Sequence, residues 1–409
     1  MTPWTIFRLL IGRRDAILTV ASSRWSLLVG AILVLSGSLA RNYDGVCLPE
    51  EWPALAHGLV VSTVNALLLF SIVFFASKAS RRGMAFRSGY LSFLALFWMT
   101  APMAWLYGIP YERWLSPLDA LHANAWTLLV VSIWRVLLIS RVLAVLFAER
   151  THRVLWLVLL FADVTLLLAL LFAPLPVIDF MGGMQQSPEE RELGSLAFLA
   201  GFGAFVTLFV WVVGAITAMT FMKNQGAIAV PSNSRTPPRA ALVFACIALL
   251  AWCGAALWTH SEQRNRYEAE RLLTTGKIED ALARMSEHSR ADYPPVWDPP
   301  PRPAWGVNQP AIADVRAALI AQPHAGWVES LFWEKCWRDL NRGGRMFDTP
   351  PSQWTAYAEA EFLGDDWWKA VRLHAKHDVR LSAEDRAALN AAVDARDAYR
   401  RAQQPAVQP

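Results

Sequence analysis

Two arginines, Arg135 and Arg141, interrupt the apolar run WRVLLISRVLAVLF. Ionisable side chains inside such a run line proton or ion pathways, or pair with an opposite charge to fix helix register. The two lie six positions apart, about 120° around a helix, so they are expected to play different parts. Arg135 sits 12 residues from the end of the run at Phe147, about 18 Å deep at 1.5 Å per residue. Arg141 is only about 9 Å deep, within reach of the headgroups for a snorkelling side chain. The next apolar run, WLVLLFADVTLLLALL, carries Asp163 about 14 Å deep. The connection AERTHR is short, so the two segments are expected to be antiparallel neighbours with an Arg135–Asp163 ion pair between them. Asn124 shares the helix face of Arg135 and extends a polar stripe from it. A conducting path usually shows several acids or histidines in series, and here one acid is present, which favours a structural pair.

Other chemistry is sparse. LHAKHD places His374 and His377 three apart, a spacing compatible with metal binding, but no third and fourth ligand accompany them. There is no HExxH, GxSxG, Walker loop or dinucleotide glycine signature, and no paired intramembrane aspartates. Nothing in the residues calls for a cofactor or marks an enzyme. Cys246 and Cys253 fall in an apolar segment, whereas Cys47 and Cys336 fall on one side and allow a disulfide.

The elements that must position these residues follow from hydropathy. The chain has 409 residues, 55% hydrophobic and 18% charged, an apolar balance for a protein of this length. Residues 1–258 hold 12 Asp/Glu and 18 Lys/Arg, and residues 259–409 hold the other 22 and 20, so an apolar basic half precedes a polar, near-neutral one. No concentrated basic patch marks a nucleic-acid binder. Seven apolar runs approach the roughly 20 residues that cross a bilayer: Trp25–Ala40, His57–Ser77, Ser88–Tyr107, Asn124–Phe147, Val154–Leu175, Leu193–Met222 and Ala240–Trp258. The expected fold is therefore all-α, a seven-helix polytopic membrane bundle over residues 25–258 followed by a small all-helical extracytoplasmic domain.

Orientation follows from Lys and Arg in the connecting loops. One set, including Arg8, Arg13, Arg14, Arg24, Lys78 and Arg81, holds thirteen; the alternate set holds Arg41, Arg113 and Arg191. The N-terminus is thus expected in the cytoplasm and the region after Trp258 on the far side of a cell (inner) membrane, periplasmic or extracellular. Ser38–Ala40 also reads as a signal-peptidase site, whose use would leave six spans in the same orientation. Residues 1–24 read as an interfacial amphipathic segment, with Thr2 as cap, Pro3 in the first turn, and Trp4, Phe7, Leu10 and Ile11 on one side.

The far-side region divides into a helical hairpin (259–293), a Pro-rich linker or strap (294–309), a helical domain (310–402) and a disordered tail (403–409). The hairpin, broken at Gly276 with Ala281 in its second helix, resembles a single tetratricopeptide-like unit, without a second copy in the chain. The functional expectation is a non-enzymatic scaffold or partner-binding component of the cell envelope. It would act through that domain, in contact with the lipid bilayer and another envelope protein, and without nucleic acid. The alternative is a small-solute transporter or channel subunit using the stripe around Arg135 and Asp163, which would require a solvated cavity ending at Arg135 and inverted repeats among the spans; no such repeats are detectable in the sequence.

Overall fold

The computed structural model describes residues 1–77, 84–172, 188–222, 237–295, 297, 299, 310, 312–321, 324–332, 368, 371–372, 375 and 383–403. These residues are helical and contain no β-strand. They divide into two compact units, one of residues 1–175 and 192–264, the other of 176–191 and 265–409.

In the first unit, α1 (Pro3–Leu10) starts where proline can take the first turn, and Thr2 and Thr5 close a reciprocal cap. Its two sides are both apolar. Ile6 and Leu9 are buried in the core, while Trp4, Phe7 and Ile11 are exposed. Gly12 turns the chain with φ +74, where the Arg141 Cγ stands 3.3 Å from any Cβ, and α2 (Arg14–Ala21) packs on α5 and α6. α3 (Ser26–Asn42) buries ten of its 17 residues and contacts α4 (Pro53–Ala76) and α5 (Phe86–Trp98). α5 gives way to a 3-10 segment, Ala101–Gly108, because Pro102 cannot donate to an α-helical ladder. Then follow α6 (Pro117–Leu146), capped by Ser116 accepting from the Asp119 N–H, α7 (Thr151–Phe172), α8 (Pro188–Phe221) and α9 (Arg239–Thr274). Phe70 is the centre of an aromatic core, with the rings of Phe74, Phe86, Tyr90, Phe93 and Phe147 between 5.3 and 5.9 Å away.

Six of the described helices are long and apolar enough to cross a membrane. The seventh expected from sequence, α3, has only 17 residues, about 26 Å. The third is not the regular helix expected over Ser88–Tyr107 but an α-helix continued by the 3-10 segment.

In the second unit, Gly276 (φ +76) ends α9; the N–H of Lys277 reaches Leu272 and that of Gly276 reaches Leu273, a Schellman closure. α10 (Ile278–Ser286) folds back and buries Ala281, Leu282 and Met285 against Ala269 and Leu273. α11 (Ile312–Ala321) and the helical turns over 326–332 add Val315, Val328 and Phe332 to this core, and α12 (Ala383–Gln403) follows. Arg290 donates to the carbonyls of Pro294 and Pro295, holding the start of the Pro-rich segment on the hairpin. Trp297 stacks on Tyr293 at 4.7 Å and donates to Glu270. Most of the rest of that segment lies outside the described residues, as do the later part of the helix the sequence places over 327–341, all of that over 352–363 and most of that over 366–377.

Tyr293 gives this unit a pH limit. Burial pushes its phenol up to about 12 from an ordinary 10, so the folded state prefers the neutral form. The stabilisation is complete below pH 10 and is lost as pH rises through about 12, by some 2–3 kcal/mol. The stability of this unit to chemical denaturation, followed by its tryptophan signal, should therefore fall between pH 10 and 12. Tyr293→Phe should keep the stability to higher pH, and an identical alkaline transition in that variant would refute the assignment.

Candidate functional site

Arg135 and Asp163 are not brought together. The Asp163 carboxylate on α7 accepts a hydrogen bond from the Thr207 hydroxyl of α8 at 2.6 Å, and no ion pair joins it to Arg135. The expected register-fixing pair is thus replaced by a helix-to-helix hydrogen bond. The same α7–α8 seam packs Trp156 against Trp211, their rings tilted at 5.4 Å, and seats Gly214 against the Trp156 ring and Gly201 against Leu170. Positions rise on one helix as they fall on the other, as antiparallel packing requires. The sequence could not choose between Arg135 and Thr207 as the partner of Asp163, because that depends on which side of α7 each neighbour occupies.

Arg141 turns the other way. Its guanidinium donates to the Thr151 hydroxyl at 3.3 Å, at the start of α7. Asn124 donates to Glu112 at 2.5 Å, in a polar cluster at the other end of α6. There Arg113 makes a two-pronged ion pair with Glu262 of α9, at 2.6 and 3.2 Å, and lies 4.9 Å above Trp258. Thr259 and Gln263 donate to the carbonyls of Tyr43 and Asp44 in the same region. Burial is the largest influence raising the Asp44 carboxyl above its usual range, and neighbouring Glu112 and Glu262 act in the same direction. The Cys47 thiol is buried and donates to Glu50 at 2.8 Å; Cys336, His374 and His377 lie outside the described residues. Among the described residues no three His, Cys, Asp or Glu side chains converge as metal ligands.

Arg135 itself points into a cavity of about 650 Å³. α3 contributes Gly37, Ser38, Arg41 and Asn42, α4 contributes His57, Gly58 and Ser62, and the break between α5 and the 3-10 segment contributes Phe97, Trp98 and Ala101. The break matters, because a continuous helix would direct other side chains there. Gly58 is a packing necessity, since a Cβ would collide with the Ser38 hydroxyl, so α3 and α4 approach closely at this wall. Trp98 donates to the Ser62 hydroxyl at 3.0 Å, and Asn42 donates to the Ser38 carbonyl at 2.8 Å, fixing the polar groups of the wall. Phe97 lies 4.8 Å below the Arg135 guanidinium, a cation–π contact.

Arg41 and His57 are exposed and Arg135 is partly buried. Arg135 lies 11 residues, about 16 Å, from the α6 terminus at Leu146. Among the described residues neither Arg135 nor Arg41 has a hydrogen bond or an ion pair, and no carboxylate lines the cavity. An arginine within a hydrocarbon layer costs from about 3 to more than 10 kcal/mol unless water or a counter-charge reaches it. The arrangement can therefore solvate, or neutralise with an anion, two guanidiniums that have no charged partner among the described residues. Sequence reading found Arg135 but missed Arg41, His57 and Ser62. A hint was available in Arg41, the only Lys or Arg of its loop.

A second cavity, about 740 Å³, lies between α7 and α8. Its walls are mainly apolar, including Trp156, Phe209 and Val213, and Arg153 at its rim is paired with Glu149 at 3.5 Å.

Compared with models of protein families, with curated proteins and with solved structures, the chain finds no match. What the fold itself defines is an all-helical protein whose apolar helices are compatible with a multi-pass membrane protein.

Proposed function

We propose that this chain is a multi-pass protein of a cell membrane whose bundle binds a small ligand in the Arg135 cavity, as a solute transporter or channel subunit does. The observation that carries this reading is the cavity of about 650 Å³ whose lining includes two guanidiniums and no carboxylate among the described residues. A purely structural arginine would be expected to have a partner. We count seven spans, with α3 as the short one. It is enclosed by α4, α5 and the 3-10 segment, so its ends need not match the bilayer thickness. With the arginine-rich loops in the cytoplasm, the Arg41 end of α3 faces outward and so does the cavity mouth. The second unit then lies outside the cytoplasm. That unit has its own aromatic core around Tyr293, Trp297 and Phe332, which favours a second role in binding an envelope partner.

Access tests the reading. Cysteine placed at Ala54, near the mouth, and at Ser62, deeper on α4, should react with a membrane-impermeant methanethiosulfonate added to intact cells, Ala54→Cys faster. Labelling only after the membrane is opened would overturn the orientation. A Ser62→Cys variant inert under both conditions would exclude a solvated cavity.

A further inference from the structure

The composition of the cavity selects a class of ligand. Its ionisable lining groups are Arg41, Arg135 and His57, with no acid among them. The hydroxyls of Ser38 and Ser62 lie on the walls between, and Phe97 and Trp98 make one side apolar. The Arg135 guanidinium carbon lies 4.8 Å over the Phe97 ring, and among the described residues its N–H groups make no hydrogen bond, so they are available to a ligand. A cation is excluded by like charge, and a neutral ligand would leave both guanidiniums uncompensated. The geometry points to a site for a phosphate-type oxyanion. Its oxygens would take the planar donor forks of Arg135 at the floor and Arg41 at the mouth, and its apolar portion would lie against Phe97 and Trp98. Arg135 is the main binding residue, because it is the less solvated of the two charges and loses least hydration when the anion arrives.

The inference rests on the reading of the cavity as a ligand site, and it deepens that reading by naming the charge and chemistry of what enters. The same phosphate chemistry can come from a soluble oxyanion or from a lipid headgroup. The full-length protein, purified in neutral detergent, would be melted in two arms. One uses inorganic phosphate against chloride at equal ionic strength, the other mixed micelles of phosphatidylglycerol against phosphatidylcholine. A melting temperature raised by inorganic phosphate identifies a soluble ligand, and one raised only by phosphatidylglycerol identifies a headgroup. Either supports the proposal if Arg135→Met weakens the apparent affinity by about tenfold or more and Arg135→Lys falls between. Should Arg135→Met fail to fold, Arg41→Met carries the same comparison from the exposed mouth. The proposal is overturned if neither anion is distinguished from its control, or if the methionine variants respond as the native protein does. Labelling of Ser62→Cys without any anion effect would remove this inference and leave the ligand-site reading standing. An anion effect with labelling only from the opposite side would do the reverse to the orientation.

Discussion

Glu262→Leu is expected to lower the stability of the purified protein by about 2–4 kcal/mol, because it strands Arg113 in a partly buried position. The two side chains are only 17% and 20% exposed, and the carboxylate takes both prongs of the guanidinium. A solvent-facing pair would be worth under about 1 kcal/mol, so burial decides the magnitude here. The loss should spread to neighbouring anchors. Glu262 lies one turn from Thr259 and beside Gln263, whose hydrogen bonds tie α9 to the backbone at Tyr43 and Asp44. Replacing both charges, as Arg113→Met with Glu262→Leu, should recover most of the loss, since no charge is then left uncompensated. Chemical denaturation in detergent measures all three variants. Losses that simply add in the double variant would show that the pair contributes nothing.

The second large effect is steric. A Cβ on Gly108 would overlap the Trp252 ring and stand 2.9 Å from the Ala40 carbonyl oxygen. Trp252 cannot swing aside freely, because Tyr43 packs on it at 5.6 Å and donates through its hydroxyl to the Gly108 carbonyl. Gly108→Ala should therefore cost about 1–3 kcal/mol through overpacking, and Gly108→Val more. Trp252→Phe should relieve the alanine variant only in part, since the Ala40 oxygen stays in place. Gly254, two residues further along α9, has nothing within 4 Å of its Cβ position. Gly254→Ala should accordingly be neutral or slightly stabilising, because alanine holds a helix better. Equal losses at the two glycines would mean that helix propensity, and not the α9 seam, sets the effect.

These contacts show how far the amino-acid pattern reaches. Helices follow from local rules. The cap at Thr2 and Pro3 and the break at Gly276 occur where the residue types place them, whereas α6 begins at Pro117, seven residues before the apolar run that starts at Asn124. Long apolar runs are helical because backbone groups in a hydrocarbon layer must be satisfied within their own segment. A neighbouring pair such as α6 and α7 follows as well, since a short loop leaves no other geometry, and the two helices are in contact. Arg135 was legible as an anomaly for the same reason, because a charge in an apolar run is visible without knowing its surroundings.

What each anomalous side chain touches was not legible. Asp163 and Arg135 match in sign and in depth, yet rotation about the helix axes turns Asp163 toward Thr207 and Arg135 toward Phe97. Depth is a one-dimensional quantity that counting residues supplies; azimuth depends on the packing of every neighbouring helix. The cavity is harder still to foresee. It needs the close approach of α3 and α4 at Gly58 and the change from α-helix to 3-10 helix beyond Trp98, which together bring Arg41, Ser62 and Arg135, from three separate helices, to one space. The sequence alone determined an all-helical chain with membrane-length apolar segments and one unexplained charge, because those properties depend on residues close along the chain. Only the tertiary structure decided that this charge shares a cavity with a second arginine and, among the described residues, with no carboxylate, because that depends on side chains brought together across nearly a hundred residues by packing.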